Sequence, residues 1–161
     1  MTNLLTHKQF DAAACTALAD TIGPLGFSCS ASKGCTFYRR INSDLFHFVL
    51  LDSLTRSSKF DVKVFAHSPL LEGEWSAKFP DDLGIPTGSL SYLHSQNGVG
   101  PDQQLYFCKT IDVFSHDFEA RVKPALLKFA IPYLDRIGSV YDIGKLKGLH
   151  PLYAERLSRL R

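Results

Sequence analysis

Two stretches decide the fold: Leu45-Phe46-His47-Phe48-Val49-Leu50-Leu51 and Phe60-Asp61-Val62-Lys63-Val64-Phe65-Ala66-His67. The second puts Phe60, Val62, Val64 and Ala66 on one side and Asp61, Lys63, Phe65 and His67 on the other, the period-two pattern of a strand. The first is apolar at every position but His47, as expected of a central strand covered on both faces. Between them, Thr55 to Lys59 is polar and loop-like. Upstream, Gly26 to Ser30 and Cys35 to Arg40 read as two shorter strands around Ser32-Lys33-Gly34. Asn42-Ser43-Asp44 reads as a tight turn, because Asn and Asp tolerate left-handed backbone and bond their own chain. Strands joined by such short turns make an antiparallel meander.

Working outward, a helix is predicted from about Thr6 to Ile22. Thr6 followed by Gln9 is a capping-box pattern, and Phe10, Ala13, Ala14, Ala17, Leu18 and Ile22 recur at helical spacing. Gly23-Pro24 stops it. Beyond the meander, periodicity disappears from Ser68 to Gly100, apart from a short strand around Ser89 to His94. Patternless stretches of this length inside a domain are uncommon and often functional. Leu105 to Thr110 reads as a strand. A helix from Ser115 to about Ile137 then carries Phe118, Val122, Ala125, Leu126, Phe129, Tyr133 and Leu134 on its apolar face. Pro124 and Pro132 inside it each remove a backbone donor, so a kink or two successive helices are expected. Ser139 to Leu160 is helical in parts and ends in Arg156, Arg159 and Arg161. The layout is α+β: an antiparallel sheet of about four to six strands, with the N-terminal helix and the C-terminal helices packed on one face. We read residues 1–161 as one domain, with 139–161 as a helical appendage.

Composition narrows the function classes. A chain of 161 residues with 45% hydrophobic and 21% charged residues is not disordered overall. Eighteen Lys and Arg against 16 Asp and Glu leave a net charge of +2, too mild for a nucleic-acid binder. The N-terminus lacks a basic segment followed by an apolar one. The longest apolar run, Phe48-Val49-Leu50-Leu51, falls far short of the ~20 residues that span a bilayer. The expectation is a cytoplasmic protein with no membrane segment.

Leu25-Gly26-Phe27, Thr36-Phe37-Tyr38-Arg39-Arg40 and Phe60 to Val64 together resemble the bacterial family known as domain of unknown function 4304. Its members are similar in having an N-terminal helix ending in a Leu-Gly-Phe turn, a Phe-Tyr-Arg strand and an apolar strand after it. The resemblance covers most of the first 137 residues. It implies a small α+β domain among bacterial proteins whose partners are often toxins, and it transfers no catalytic residue.

Nucleophile-elbow, zinc-protease, P-loop and dinucleotide fingerprints are all missing, and Gly98-Val99-Gly100 is an isolated pair of glycines. Cys29 and Cys35 are spaced for either a clip or two free thiols, and free thiols are the rule in a cytosolic chain. His47 and His67, on adjacent strands, meet in a metal pair or stand as ordinary sheet residues. Tyr38-Arg39-Arg40 with Lys63, Lys33 and Arg56 forms either a basic face or a mixed-charge sheet surface.

The informative segment is Leu70 to Leu83, which sets Trp75 and Phe79 among Glu72, Glu74, Asp81 and Asp82. Trp is a favoured interface anchor and acidic neighbours steer a basic partner. Alternatively Trp75 caps the core and the carboxylates are solvated. The sequence therefore points to a non-enzymatic immunity protein that occludes a cognate toxin domain through Glu72, Glu74, Trp75, Phe79, Asp81 and Asp82, without cofactor or metal. The alternative is a small-ligand binder or enzyme with a pocket lined by Tyr38, His47, His67 and Trp75.

Overall fold

The computed structural model describes residues 4–30, 35–54, 58–72, 88–90, 106–146 and 151–160. Helix α1, His7–Ile22, starts where the capping box places it. The Thr6 hydroxyl accepts from the Gln9 amide at 3.2 Å, and the Gln9 side chain accepts from the Thr6 amide at 3.0 Å. A tight turn, Gly23–Leu25, ends at Gly26, whose φ of 93° lies in the left-handed region that favours glycine.

The sheet follows. Strands β1 (Ser28–Cys29), β2 (Cys35–Asn42), β3 (Leu45–Leu54) and β4 (Lys59–His67) form an antiparallel meander in that spatial order. The turn between β2 and β3 is the expected one: the Asn42 carbonyl side chain accepts from the Asp44 amide at 2.9 Å. After β4 comes a four-residue helix, α2 (Pro69–Glu72), inside a stretch whose sequence showed no periodicity. Two short strands, β5 (Gly88–Ser89) and β6 (Tyr106–Phe107), both pair with β4, β6 at Lys59 and Phe60 and β5 at Lys63 and Val64. Most of the strand expected over Ser89 to His94 lies outside the described residues.

The C-terminal helix corrects the sequence reading. Helix α3 begins at Ile111, not Ser115, because Thr110 is its N-cap: its hydroxyl accepts from the Val113 amide at 3.2 Å. The helix carries through both prolines to residue 135. Before each proline the ladder widens by one residue. The Lys123 amide donates to Phe118 and the Ile131 amide to Leu126, five residues back in each case. A proline ring collides with the carbonyl four residues behind it, and a widened turn moves that carbonyl aside. Two further helices close the chain, α4 (Val140–Ile143) and α5 (Pro151–Ser158).

As expected, both long helices lie on one face of the sheet. Phe10, Ala14, Leu18 and Ile22 of α1 and Phe114, Phe118, Val122, Leu126 and Leu134 of α3 share a core with Cys35, Phe37, Val49, Leu51, Phe60, Val62 and Val64. The ring centroids of Phe10, Phe60 and Phe114, from α1, β4 and α3, stand 5.3–5.4 Å apart. A second cluster joins Leu45, Ala66 and Leu71 to Ile137, Val140, Ile143 and Leu157, so the C-terminal segment packs on the domain. There, Arg156 donates to the Leu71 carbonyl at 2.7 Å.

Strand β6 is fastened to α3 by Asp117. Its carboxylate accepts from the Phe107 amide at 2.6 Å and from Arg121 at 2.9 and 3.0 Å, and the Arg121 guanidinium lies 4.7 Å from the Tyr106 ring centroid. Removing the acceptor leaves the Phe107 donor unserved beside the core. Asp117→Ala is expected to destabilise the fold by about 1–3 kcal/mol, with the Phe107 amide exchanging faster. Asp117→Asn, which keeps one acceptor oxygen, is expected to lose less. Chemical denaturation and amide hydrogen exchange check both.

Candidate functional site

Register settles the histidines. Arg39 pairs with His47 and His47 with Ala66, which places all three on the helix-covered face. Phe46 pairs with His67, and Tyr38 with Phe48, on the opposite face. The two histidines therefore point away from each other through the sheet and do not form a metal pair. A pocket lined jointly by Tyr38, His47 and His67 does not exist for the same reason. Trp75, the fourth residue expected there, lies outside the described residues.

His47 is buried in a joint between sheet and helices. Arg39 Nε donates to His47 Nδ1 at 3.2 Å; its Nη2 pairs with Asp135 at 2.6 Å and its Nη1 donates to the Leu25 carbonyl at 3.3 Å. The guanidinium also covers the Phe27 ring at 4.6 Å. Guanidinium nitrogens only donate, so Nδ1 must accept. The proton then sits on Nε2, which donates to the Ile137 carbonyl at 2.7 Å. Burial, reinforced by the Arg39 charge, lowers the His47 pKa to about 4 against the pull of the Ile137 carbonyl. With both nitrogens engaged and the ring neutral, this cluster is a structural joint.

On the opposite face the rings of Phe48 and Phe65 stack at 5.1 Å, with Tyr38, Phe46 and His67 around them. Phe48, Phe65 and His67 are buried. β3 is thus apolar on both sides, as its composition indicated. The basic-face reading gives way to mixed charge: Lys63 reaches Asp52 at 3.3 Å, and Arg40 lies over the Phe46 ring at 5.9 Å. Lys33 and Arg56 lie outside the described residues.

Among the described residues, a groove of about 690 Å³ with room for a partner lies between α1 and α3. Ala13 and Ala17 of α1 and Phe114 and Phe118 of α3 form its floor; Leu5 and Ile111 stand at one end. The cause is in the sequence: α1 presents alanines and Thr16 where longer side chains would close the gap, so the two helices meet only at their inner edges. Ile111 is 47% exposed beside it. Asp20 and Glu119 line the groove, and no Lys or Arg does so among the described residues. Glu119 also pairs with Lys123 at 3.5 Å on the next turn.

This groove escaped the sequence reading. Ala13 and Ala17 belong to the apolar repeat of α1, and nothing in a single helix shows how far away its neighbour stands. The residues singled out instead, Glu74, Trp75, Phe79, Asp81 and Asp82, lie outside the described residues, as do Gly98 and Gly100. Glu72 ends α2, and its side chain lies outside them as well. All four cysteines are free; the sulfur facing Cys29 is that of Cys15 on α1. Among the described residues, no helix is long and apolar enough to cross a membrane. No family model matches the chain, and no curated protein or solved structure matches it either.

Proposed function

We propose that this chain is a non-enzymatic protein-binding domain, specifically a bacterial immunity protein that neutralises a toxin by covering its active site. The observation that carries the reading is the open groove between α1 and α3. Its floor is apolar, it lies between two helices, and its charged lining residues are the carboxylates Asp20 and Glu119. An amphipathic helix with basic flanks is the complementary occupant: apolar side chains fill the groove, and Lys or Arg meet the acidic rim. A net charge of +2 does not oppose this, because steering follows the local field. The toxin assignment rests on the resemblance in the first 137 residues, and cytoplasmic residence goes with it.

The test is co-expression with a panel of bacterial toxin domains, reading growth, and calorimetric titration of the purified pair that shows protection. Ala13→Arg places a long cation across the groove floor and is expected to weaken binding by tenfold or more, with loss of protection. Trp75→Ala tests the acidic segment Leu70 to Leu83 separately. Protection that survives Ala13→Arg but not Trp75→Ala moves the interface to that segment. Binding indifferent to both, or no protection by the wild type, overturns the reading.

A further inference from the structure

We propose that Cys15 and Cys29 are a disulfide-forming pair, a modification site that accepts a small-molecule disulfide of the oxidised-glutathione class as its oxidant. Three thiols converge where α1 crosses β1 and β2. Cys29 shares its sheet face with Phe37, its paired residue, and therefore with Cys35, two residues further along the strand. Cys15 faces them from the helix. The Cys15 and Cys29 sulfurs are 3.8 Å apart. A disulfide bond is about 2.0 Å long, so the pair must close by about 1.8 Å, within reach of a side-chain rotation. Cys29 is the residue placed to make it: it lies on a two-residue strand, and besides Cys15 its thiol makes a long contact to the Ser30 carbonyl, 3.5 Å.

Exposure sets the order of events. Cys29 is exposed, Cys15 half-buried, and Cys35 and Cys108 buried. The Cys29 thiolate attacks one sulfur of oxidised glutathione, forming a mixed disulfide and expelling glutathione thiolate. The Cys15 thiolate then attacks the Cys29 sulfur, forming the Cys15–Cys29 bond and expelling the second glutathione thiolate. Two protein thiols lose two electrons to one glutathione disulfide, and the two protons they release end on the two glutathione thiols. Burial, with the neighbouring Cys15, raises the Cys29 pKa to about 11, so the exchange is slow at neutral pH and quickens as pH rises. The product ties the edge strand β1 to α1 across the Gly23–Leu25 turn.

Trypsin distinguishes the outcomes, because it cuts after Lys8 and Lys33 and nowhere between. The folded protein is incubated with oxidised glutathione, alkylated and digested. The expected product is peptide 9–33 two hydrogen atoms lighter and closed to alkylation, with the oxidised protein melting at higher temperature than the reduced one. Cys35→Ala is expected to keep this product. Cys15→Ala is expected to stop at a glutathione adduct on Cys29. Both residues alkylated after treatment, a persistent adduct in the wild type, or peptide 9–33 joined to peptide 34–39 through Cys35 would each overturn the proposal.

Discussion

Phe60→Ala is expected to lower the unfolding free energy by about 3–5 kcal/mol. The ring is fully buried and packs against three other elements: Phe10 of α1 at 5.4 Å, Phe114 of α3 at 5.3 Å and Tyr106 of β6 at 5.4 Å between centroids. Truncation removes the transfer energy of a phenyl group and leaves a hole that three neighbouring rings on three separate elements cannot close together. Tilted aromatic contacts add about 0.5–1.5 kcal/mol each beyond area burial, so the upper half of the range is favoured. For a domain of this size the loss corresponds to a fall in Tm of roughly 6–20 °C. Phe60→Leu, which refills most of the volume, is expected to cost under about 1.5 kcal/mol. Thermal and urea unfolding of the two variants beside wild type decide the matter; equal losses for both would contradict the packing account.

The second large effect is acid destabilisation through His47. Its pKa in the folded protein is about 4, against an ordinary 6.5. Between those values the unfolded chain binds a proton that the folded one refuses. Stability is therefore complete above about pH 6.5, falls as pH drops toward 4, and loses nothing more from this residue below that. The difference corresponds to about 3 kcal/mol over the window. His47→Gln keeps a donor for the Ile137 carbonyl but does not titrate. It is expected to start lower, by about 1–3 kcal/mol at pH 7.5, and to show a much flatter profile between pH 6.5 and 4. Asp11 and Asp61, whose pKa values burial raises, contribute with the opposite sign at the acid end. Subtracting the variant profile from the wild type removes them. Parallel profiles for the two proteins would show that the imidazole is not the group responsible.

The elements legible in the sequence were those specified locally. Thr6 and Gln9 announce the start of α1 by themselves, and the alternation from Phe60 to His67 needs no partner strand to be read. Thr110 misled because β-branched residues suit strands, yet its hydroxyl is an N-cap. That decision depends on the chain direction after it. The histidines required register, which one residue either way inverts, and it is fixed jointly by the Asn42 turn and by pairing along the whole of β3 and β4. The widened turns of α3 were visible only as two prolines. The groove depends on the separation of two helices about a hundred residues apart, which no local pattern encodes.

The buried residues Phe114, Phe118, Val122, Leu126, Ala130 and Leu134 of α3 recur every fourth position. A regular helix turns about 100° per residue, so such a stripe would drift about 40° per step and, after five steps, face the opposite way. Each widened turn absorbs one extra residue, and two of them cancel the drift. The helix thus counts in fours. Its length is consequently not negotiable: loss of a single residue from either widened turn rotates everything downstream by about 100°. That would swing Asp135 away from Arg39 and Leu134 out of the core. Prolines and spacing are therefore two halves of one specification, and neither can change alone without breaking the joint at His47.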